Sequence, residues 1–494
     1  MLKDIYQICV NRGFFIPAFE PYGQVSGFYD YGPLGVLMKN KIINIWRKLF
    51  FTDFTYELET TLINIEKMLI ASGHVENFND PIVRCEKCNI DYRADTLIEE
   101  NLGKKIHFTS LDELEIILER NNIKCPKCDS KLSGIKKFNM MFELQIGATG
   151  KQKGYLRPET AQGLFLSFPR IFKTYGSKLP IALAQVGKSF RNEISPRQGL
   201  TRMREFTQME IELFFDPEEK EFLPYEEIKN VKVKMLTKES QLRNEFKLEE
   251  ETVEFFLKKS NIPNKIMAFY IAKEQIFYEF LGINKDLFWF RELLNDERPH
   301  YSGGNIDVEV KISEDNIIET IGNAYRTNFD LKSHQTHSKQ TMEVFVEEKK
   351  KKIFPHVVEP SIGFDRTFYS ILHHCFREKN EQKQWDWFAF PFDICPYQVA
   401  IFPLMKKDNL DIKALEVYKI LKKHFSCYYS STGNIGKRYA RADEIGTYYA
   451  VTVDYQTLED DTVTLRFRDT GQQVRLNIND LVKEIEKASK INSL

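Results

Sequence analysis

Apolar and polar side chains alternate most regularly between Ser189 and Phe215, on both sides of a break at Pro196-Arg197-Gln198-Gly199. Successive side chains of a strand point to opposite faces. After the break, one parity holds Met209, Ile211 and Leu213, and the other holds Phe206, Gln208, Glu210 and Glu212. The pattern predicts two antiparallel strands joined by an exposed loop.

The polar side of this predicted hairpin has two interpretations. It combines acids and one aromatic ring with four arginines, Arg191, Arg197, Arg202 and Arg204. Such a surface suits a charged planar ligand such as a nucleotide. The alternative is a solvated sheet face, because a half-buried hairpin usually turns its polar side to water.

Apolar spacing also predicts elements elsewhere in the chain. Apolar residues recur at three- and four-residue steps from Leu34 to Phe51, which indicates a helix. The apolar run Leu179 to Val186 indicates a buried strand. Residues 216–285 are charged and helical in pattern, so we expect a helical insertion with a solvated charged face. Beyond residue 390, strands alternate with helices, which indicates a small α/β domain.

Length and composition bound the class of protein. The chain has 494 residues, 42% of them hydrophobic and 13% aromatic, which is enough for two to four folded domains. It contains no membrane-length apolar run, and its start lacks a secretory apolar segment, so a cytoplasmic protein without membrane contact is expected. The net charge of −1 gives no global basic field, so any nucleic-acid contact must be local.

Four of the eight cysteines form two paired knuckles, Cys85-x-x-Cys88 and Cys125-Pro-Lys-Cys128. This spacing is typical of a tetrahedral zinc site, and four thiolates would leave no open position for water. The alternatives are two disulfides or four unliganded thiols, and disulfides suit a cytosolic chain poorly. We therefore expect a structural zinc.

The string F-R-N-E-I-S-P-R-Q-G-L-T-R-M-R-E-F-T from Phe190 to Thr207 resembles motif 2 of the class II aminoacyl-tRNA synthetases. It is most similar to the dimeric glycyl-tRNA synthetases of the archaeal and eukaryotic-like type. The helix Leu34 to Phe51 resembles their dimer-forming motif 1, which implies that a strand follows near Tyr56 to Ile65. Ile63-Asn64-Ile65-Glu66 stands where the family typically has a proline. Val357 to Arg366 resembles motif 3, with Asp365 where the family commonly has a small or aliphatic residue.

The resemblance implies an α/β (α+β) fold with an antiparallel-sheet class II catalytic domain and a C-terminal α/β anticodon-binding domain. The expected catalytic domain comprises residues 1–80, 140–215 and 286–390. A zinc-ribbon-like insertion would span 81–139, the helical insertion 216–285, and the anticodon-binding domain 391–494. In the last domain, the basic and aromatic stretch Gly436 to Arg441 is a plausible surface for stacking with unpaired bases.

The resemblance also implies a glycine–tRNA ligase that uses ATP and Mg²⁺. Arg191 and Arg366 would be catalytic. The implied ATP-binding residues are Arg191, Asn192, Glu193, Thr201, Arg202, Phe206, Glu319, Thr320, Gly363 and Arg366. Among these, Phe206 would stack on the adenine ring and Glu319 would bind the Mg²⁺ that accompanies ATP.

The implied glycine-binding residues are Arg93, Glu159, Phe206, Glu210, Arg326, Glu359, Ser361 and Gly363. Acids would bind the ammonium group of glycine and crowd its α-carbon, so that larger amino acids are rejected without an editing domain. The expected partners are tRNA(Gly) and a second copy of the chain in a homodimer.

Other classes fit the sequence less well. No H-I-G-H or K-M-S-K-S string of a class I synthetase occurs, and Gly147-Ala148-Thr149-Gly150-Lys151 lacks the flanking residues of a P-loop. A non-catalytic synthetase-like nucleic-acid-binding subunit would have lost the arginines Arg191, Arg202 and Arg366, which are present here. A class II synthetase for another small amino acid remains open.

Overall fold

The computed structural model describes residues 5–104, 106, 108, 110–196, 199–298, 302–381 and 383–493. Its centre is a nine-stranded sheet. The strands, in order across the sheet, are Glu249–Thr252, Lys232–Leu236, Phe288–Glu292, Gly304–Ser313, Asn316–Thr327, His356–Gly363, Glu205–Phe215, Ile181–Phe190 and Thr55–Glu57. Thr55–Glu57 pairs in parallel with Ile181–Phe190, and Lys232–Leu236 pairs in parallel with Phe288–Glu292. The other neighbours are antiparallel, which confirms the predicted fold class.

The predicted hairpin is present, with Phe190 opposite Glu205 and Ile181 opposite Phe214. The prediction of a separate buried strand at Leu179 to Val186 is wrong. This run and the first arm of the hairpin form one strand, Ile181–Phe190. Arg191 therefore lies just beyond the end of the strand, in the loop that leads to Glu205. Arg197, which we had placed in this loop, lies outside the described residues.

Both faces of strand Glu205–Phe215 are covered. Its apolar face packs into the main core against helix Pro33–Phe50. On the other face, Glu210 is 1% exposed and Glu212 is fully buried, and Phe214 stacks on Phe168 with ring centroids 4.0 Å apart. The interpretation as a solvated sheet face is thus wrong.

Residues 216–285 are not wholly helical. They contribute strands Lys232–Leu236 and Glu249–Thr252 to one side of the main sheet. Helix Lys265–Phe280 is apolar nearly all round and lies in the main core, as expected for a buried helix. The expected solvated face is confined to parts of this segment.

The predicted helix is Pro33–Phe50, with the proline in its first turn, where proline is favoured. Most of its apolar residues are buried within the same chain, and Val36 is an exception at 44% exposure. The strand expected at Tyr56 to Ile65 is instead two short strands in different sheets. Thr55–Glu57 joins the main sheet, and Ile63–Ile65 pairs with Gln152–Leu156.

The segment that carries the cysteine knuckles has a sheet of its own. Its strands, in order, are Asp91–Arg93, Asn79–Arg84 and Lys136–Asn139. Helices Ala94–Leu102 and Leu111–Arg120 pack with it around a small core.

The C-terminal part is the predicted α/β domain. Its five strands, in order across the sheet, are Cys427–Tyr429, Val399–Pro403, Tyr449–Val453, Thr462–Phe467 and Gln473–Asn477. Its helices are Leu410–Leu421, Ile435–Glu444, Tyr455–Asp460 and Leu481–Glu486. A separate apolar core lies between the sheet and helices Leu410–Leu421 and Leu481–Glu486, as expected for a domain that folds around its own core. Helix Ile435–Glu444 packs on a smaller apolar cluster of the same sheet.

The remaining helices and short strands complete the fold. The other helices are Ile5–Arg12, Glu66–Ala71, His74–Asn77, Ala161–Thr174, Leu223–Glu226, Lys238–Leu242, Val253–Lys258, Phe329–Ser338 and Phe364–Cys375. Short strands pair at Phe15–Pro17 with Tyr29–Tyr31, Val344–Val346 with Lys351–Ile353, Phe376–Arg377 with Trp387–Phe388, and Glu143–Ile146 with Gln152–Leu156. Among the helices of the described ranges, none combines the length and apolar character needed to cross a membrane.

Candidate active site

A cavity of about 410 Å³ opens on the face of the main sheet where strands Asn316–Thr327, His356–Gly363 and Glu205–Phe215 lie side by side. It collects fourteen of the sixteen residues predicted to bind ATP or glycine. These are Glu159, Arg191, Glu193, Thr201, Arg202, Phe206, Glu210, Glu319, Thr320, Arg326, Glu359, Ser361, Gly363 and Arg366. The cavity has an arginine end, formed by Arg191, Arg202 and Arg366, and an acid end, formed by Glu159, Glu210 and Glu359.

Arg191 is held at the arginine end between two aromatic rings. Its guanidinium carbon lies 5.3 Å from the ring centroid of Phe206 and 5.4 Å from that of Phe78. Its Nε donates to the carbonyl of Pro158 at 3.3 Å. Cation–π contacts of this kind orient a guanidinium and leave its charge available to a ligand.

The loop after Arg191 is braced by Arg204, which sequence reasoning placed on the ligand side. Arg204 Nε and Nη2 donate to the carbonyl of Glu193 at 3.2 and 2.9 Å, and its Nη1 donates to the carbonyl of Ser26 at 2.7 Å. The carboxylate of Glu193 faces Arg202, with Nε and Oε2 3.8 Å apart. Arg204 is therefore a structural brace, and Arg202 stays in the cavity wall.

Arg366 enters the arginine end from the first turn of helix Phe364–Cys375. Its Nε donates to the carbonyl of Thr201 at 2.9 Å and its Nη1 to that of Glu319 at 2.8 Å. Gly363 precedes the helix, and a Cβ there would lie 3.3 Å from the carbonyl oxygen of Thr320. The Thr320 hydroxyl donates to Val308, so this residue contributes shape rather than a free donor.

Asp307 stands beside Glu319 and was missed by the sequence interpretation. Both residues line the cavity, and a Cβ added at Gly322 would lie 3.7 Å from Asp307 Oδ1 and 3.9 Å from Glu319 Oε1. The absent side chain at Gly322 lets the two acids face one space. Burial, followed by the charge of Glu319, raises the pKa of Asp307 to about 8. Paired carboxylate oxygens are the ligands that Mg²⁺ prefers.

The acid end is a closed set of buried hydrogen bonds around Arg326. Its Nη1 donates to Glu359 Oε2 at 2.6 Å, and its Nε and Nη2 donate to Asp330 at 2.9 Å each. The hydroxyl of Thr160 donates to Glu210. Buried charges are tolerated only when they are paired in this way.

The remaining members of the acid end tie Glu159 in place. Gln162 Nε2 donates to Glu159 Oε1 at 2.8 Å, and His74 Nε2 lies 3.6 Å from Glu159 Oε2. Ser361 Oγ accepts a hydrogen bond from Gln208 Nε2 at 3.2 Å. His74 and Gln162 were not predicted, because neither belongs to a short motif with a role of its own.

The acids differ in their preferred charge state. Burial would raise the pKa of Glu159, but the facing His74 ring and then Arg326 hold it well below its usual value. Burial raises the pKa of Glu210 well above its usual value, and Glu359 and Glu159 reinforce the shift. The acid end therefore offers one ionised carboxylate and one carboxyl that an arriving cation would ionise.

Glu212 lies directly beyond Glu210 on the same face of the strand. It is fully buried, and neither of its carboxyl oxygens has a hydrogen-bond partner in the described part of the chain. Burial, followed by Glu359 and Glu210, raises its pKa well above the usual value. The alternation of polar residues places this side chain on the same face as Glu210, but spacing alone does not show that it is buried.

Two predicted residues do not line the cavity. Arg93 pairs with Asp95, at 3.0 Å from Nε to Oδ1, and with Asp80, at 3.3 Å from Nη1 to Oδ2. Asn192 contributes its backbone N–H to the carbonyl of Met140 at 2.7 Å. The structure thus gives both residues contacts beside the cavity, at its junction with the cysteine segment.

The four knuckle cysteines converge in a separate place. Their sulfur atoms all lie within 4.8 Å of one another, with Cys85 and Cys128 3.4 Å apart and Cys88 and Cys125 3.6 Å apart. These separations exceed the roughly 2.05 Å of a disulfide, so the disulfide alternative is wrong. Four convergent thiols fit a tetrahedral zinc ion.

The basic stretch of the C-terminal domain is only partly a surface. Arg438 is 4% exposed and donates to the carbonyls of Pro403 and Leu404 at 2.6 and 3.1 Å. Lys437 and Arg441 on the same helix are exposed. Only these two cations are therefore placed to contact a partner, and Arg438 is a structural residue.

Comparisons with known proteins agree with this geometry. Residues 142–375 match the tRNA synthetase class II core domain (G, H, P, S and T), and residues 398–488 match the anticodon binding domain. A crystal structure of prolyl-tRNA synthetase from Cryptosporidium parvum with L-proline and AMP superposes with a TM-score of 0.58 at 13% identity, covering 99% of this chain and 75% of that one. The fold is that of a class II aminoacyl-tRNA synthetase.

Two relatives narrow the class. The chain is 38% identical to the glycine–tRNA ligase of Aeropyrum pernix, covering 99% of this chain and 96% of that protein. It is 37% identical to the glycine–tRNA ligase of Methanocaldococcus jannaschii, covering 99% and 100%. The chain belongs to the glycine–tRNA ligase family.

Proposed function

We propose that this protein activates glycine with ATP and transfers it to the 3′ end of tRNA(Gly). The observation that carries the proposal is the division of one cavity into an arginine end and a small, buried acid end. The arginine end suits the triphosphate of ATP. The acid end suits the ammonium group of glycine, the amino acid that has no side chain.

In the first step, a carboxylate oxygen of glycine attacks the α-phosphorus of ATP. The bond to pyrophosphate breaks and glycyl-adenylate forms. Both reactants are negatively charged, so the site must supply fixed positive charge and alignment. Arg191 would hold the α-phosphate and the attacking carboxylate, while Arg202 and Arg366 would hold the outer phosphates. Phe206 would stack on the adenine.

Selection of glycine would follow from the acid end. Glu159 and Glu210 would bind the ammonium group, with Glu359 and Ser361 closing the space beside the α-carbon. Arg326, fixed by Glu359 and Asp330, stands at the carboxylate side. Because a side chain would clash with buried, hydrogen-bonded groups, steric rejection is strong enough to make editing unnecessary.

In the second step, the terminal ribose hydroxyl of tRNA attacks the carbonyl carbon of the adenylate, and AMP leaves. The C-terminal domain would hold the anticodon, and Lys437 and Arg441 are its candidate phosphate contacts. The guanidinium of Arg93 is paired beside the cavity, so Arg93 is proposed to contact substrate after a local rearrangement. Asn192, whose backbone N–H is bonded to Met140, keeps its proposed role in ATP binding.

The carboxylates Glu319 and Asp307 fit an ATP-bound Mg²⁺. When bound, the metal would neutralise charge on the outer phosphates as pyrophosphate leaves. Two acids that face the same space beside Arg366 are the support for this assignment.

We also propose a structural zinc at Cys85, Cys88, Cys125 and Cys128, supported by their convergent sulfur atoms. Protein purified without chelator should contain about one zinc per chain. Absence of zinc, together with unchanged folding of Cys85→Ser, would contradict this.

A homodimer is also proposed, with its contact surface on the strand region that follows helix Pro33–Phe50 rather than on the helix itself. Helix Pro33–Phe50 has its apolar side buried in its own chain, but Leu62, Ile63, Ile65 and Ile70 are exposed by 44, 49, 42 and 46%. A second copy would cover this apolar patch. Light scattering should give a dimer, and Ile63→Lys combined with Ile65→Lys should weaken it. A fully active wild-type monomer would refute the dimer.

A cytoplasmic location also stays a prediction.

The test of function is ATP–pyrophosphate exchange with each of the twenty amino acids. Glycine should give the highest kcat/KM. A higher value for another small amino acid would replace the substrate assignment, and absence of exchange with every amino acid would favour a non-catalytic nucleic-acid-binding subunit.

A further inference from the structure

Residues 26–31, here called the strap, cross behind the loop that forms the arginine end. The carbonyl of Gly27 accepts a hydrogen bond from the backbone N–H of Arg204 at 2.8 Å. The hydroxyl of Tyr29 accepts one from the N–H of Gly199 at 3.0 Å. Gly27 has φ +82°, and a Cβ there would lie 2.9 Å from the Cβ of Pro196, so the strap and the loop are in direct backbone contact.

The strap ends at a buried carboxylate. Tyr31 Oη donates to Asp365 Oδ1 at 2.5 Å, and the backbone N–H of Thr207 donates to Asp365 Oδ2, also at 2.5 Å. Asp365 is 2% exposed. One carboxylate thus joins the strap, strand Glu205–Phe215 and helix Phe364–Cys375, and hydrogen bonds to an ionised group are the stronger kind.

Lys39 completes this arrangement. Its Nζ donates to Thr207 Oγ1 at 2.9 Å and lies 5.0 Å from the ring centroid of Tyr31. Burial, reinforced by Asp365, raises the pKa of Tyr31 well above its usual value. The phenol therefore keeps its proton and donates at every pH at which the protein would be assayed.

Thr207 and Asp365 are each adjacent in sequence to a residue with a proposed role in ATP binding. Thr207 follows Phe206 and Asp365 precedes Arg366, and all four line the cavity. In the proposed function, Phe206 stacks on the adenine ring of ATP and Arg366 holds its outer phosphates. The Asp365 carboxylate fixes the backbone beside both of them.

We propose that Tyr31 and Asp365 are positioning residues that set the separation of Phe206 and Arg366 and thereby the affinity for ATP. The proposal rests on the proposed function for the identity of the ligand. It accounts for an acid at position 365, which the resemblance of Val357 to Arg366 to motif 3 had left unexplained.

The test is Tyr31→Phe, which removes the donor and leaves the ring. We expect the dissociation constant for ATP, measured by calorimetry without glycine, to rise about tenfold, as for loss of one charge-assisted hydrogen bond. KM for ATP in the exchange assay should rise in parallel, and KM for glycine should change less than twofold. The matched control is Tyr225→Phe, a buried tyrosine whose hydroxyl has no partner in the described ranges, and it should alter neither constant.

A double-mutant cycle with Asp365→Asn separates positioning from mere destabilisation. The double variant should bind ATP no more weakly than the weaker-binding of the two single variants. The single amide oxygen of the asparagine must face the fixed N–H of Thr207, so Asp365→Asn already deprives the Tyr31 hydroxyl of its carboxylate acceptor. Additive losses, equal rises in KM for ATP and glycine, or a lower Tm with unchanged ATP affinity would each overturn the proposal. Because ATP binding is measured directly, normal binding without glycine-dependent exchange would instead count against the proposed function.

Discussion

The arginine end and the acid end of the cavity stabilise their charged side chains in opposite ways. At the arginine end, Arg202 and Arg366 keep side-chain exposures of 29 and 36%, and Arg366 is aimed by backbone carbonyls. At the acid end, Arg326 and Glu359 are only 5 and 10% exposed, and each charge depends on another side chain. The arginine end can therefore change without disturbing the fold, whereas the acid end combines specificity with stability.

This difference has a physical cause. The triphosphate of ATP brings its own negative charge. Guanidinium groups that stay partly hydrated before ATP binds cost little free energy. Glycine can be distinguished from larger amino acids only in a narrow space that excludes water. In such a space every uncompensated charge costs free energy. The following substitutions test the contrast, from the largest expected effect to the smallest.

Arg326→Met should break the acid end. It leaves Glu359 and Asp330 buried without their guanidinium, and removing one partner of a buried pair costs about 3–5 kcal/mol. Denaturant unfolding should show a loss of this size. Arg202→Met at the arginine end is the control and should change stability by less than about 1 kcal/mol. Similar losses for the two variants would remove the distinction between the ends.

Arg191→Ala should separate chemistry from folding. The α-phosphorus carries more negative charge on its oxygens in the transition state, so loss of this guanidinium should lower the exchange rate by roughly two to three powers of ten, as for one oxyanion donor. Stability should change by about 1 kcal/mol or less, and exposed Arg243→Ala should leave both properties unchanged. Unfolding of Arg191→Ala, or activation at the parent rate, would make the hairpin a structural element only.

Glu210→Ala should act on the amino acid alone. Removing a carboxyl from the acid end should raise KM for glycine by about tenfold to thirtyfold and open room for alanine, within the range reported for one small group. KM for ATP should stay near the parent value. The comparison would fail if KM for ATP rose as much as KM for glycine, which exchange assays with alanine and glycine would detect.

Glu274 offers a buried carboxyl outside the cavity, where no ligand is expected. It accepts a hydrogen bond from Asn323 Nδ2 at 2.9 Å, and burial raises its pKa to about 8. Between the unfolded and folded pKa values, the native state holds a proton that the unfolded state has released, so stability falls as pH rises. The slope contributed is at most about 1.4 kcal/mol per pH unit.

Glu274→Gln should remove that contribution and flatten the dependence of the unfolding free energy on pH between about 5 and 8. The matched control is Glu279→Gln on the same helix. An unaltered slope in Glu274→Gln would show that this carboxyl is ionised in the folded protein.

Sequence reasoning was most successful where function is carried by a contiguous motif. The string from Phe190 to Thr207 and the motif ending at Arg366 located the arginine end almost completely. Asp307 and Glu212 were missed because each is one acid in an alternating strand, and its neighbours are determined by strand order rather than by spacing. Strand order depends on long-range packing, which no local pattern records.

One of the strands in 216–285 was missed for a related reason. Glu249–Thr252 lies at the edge of the sheet and consists of three glutamates and a threonine. Charged residues are common on edge strands because their charges prevent pairing with a strand of another molecule. Such a strand loses the apolar alternation by which strands are identified.

The order of strands in the main sheet has a consequence for synthesis of the protein. Strand Glu205–Phe215 lies between Ile181–Phe190 and His356–Gly363, so Glu210 and Glu359 come together only when the chain has been made beyond residue 363. Until then the nascent chain presents an unpaired strand edge with buried-type acids on one face, and such edges are prone to aggregation. A ribosome stalled between the two strands would therefore release a product that cannot complete its sheet and depends on chaperones or proteolysis.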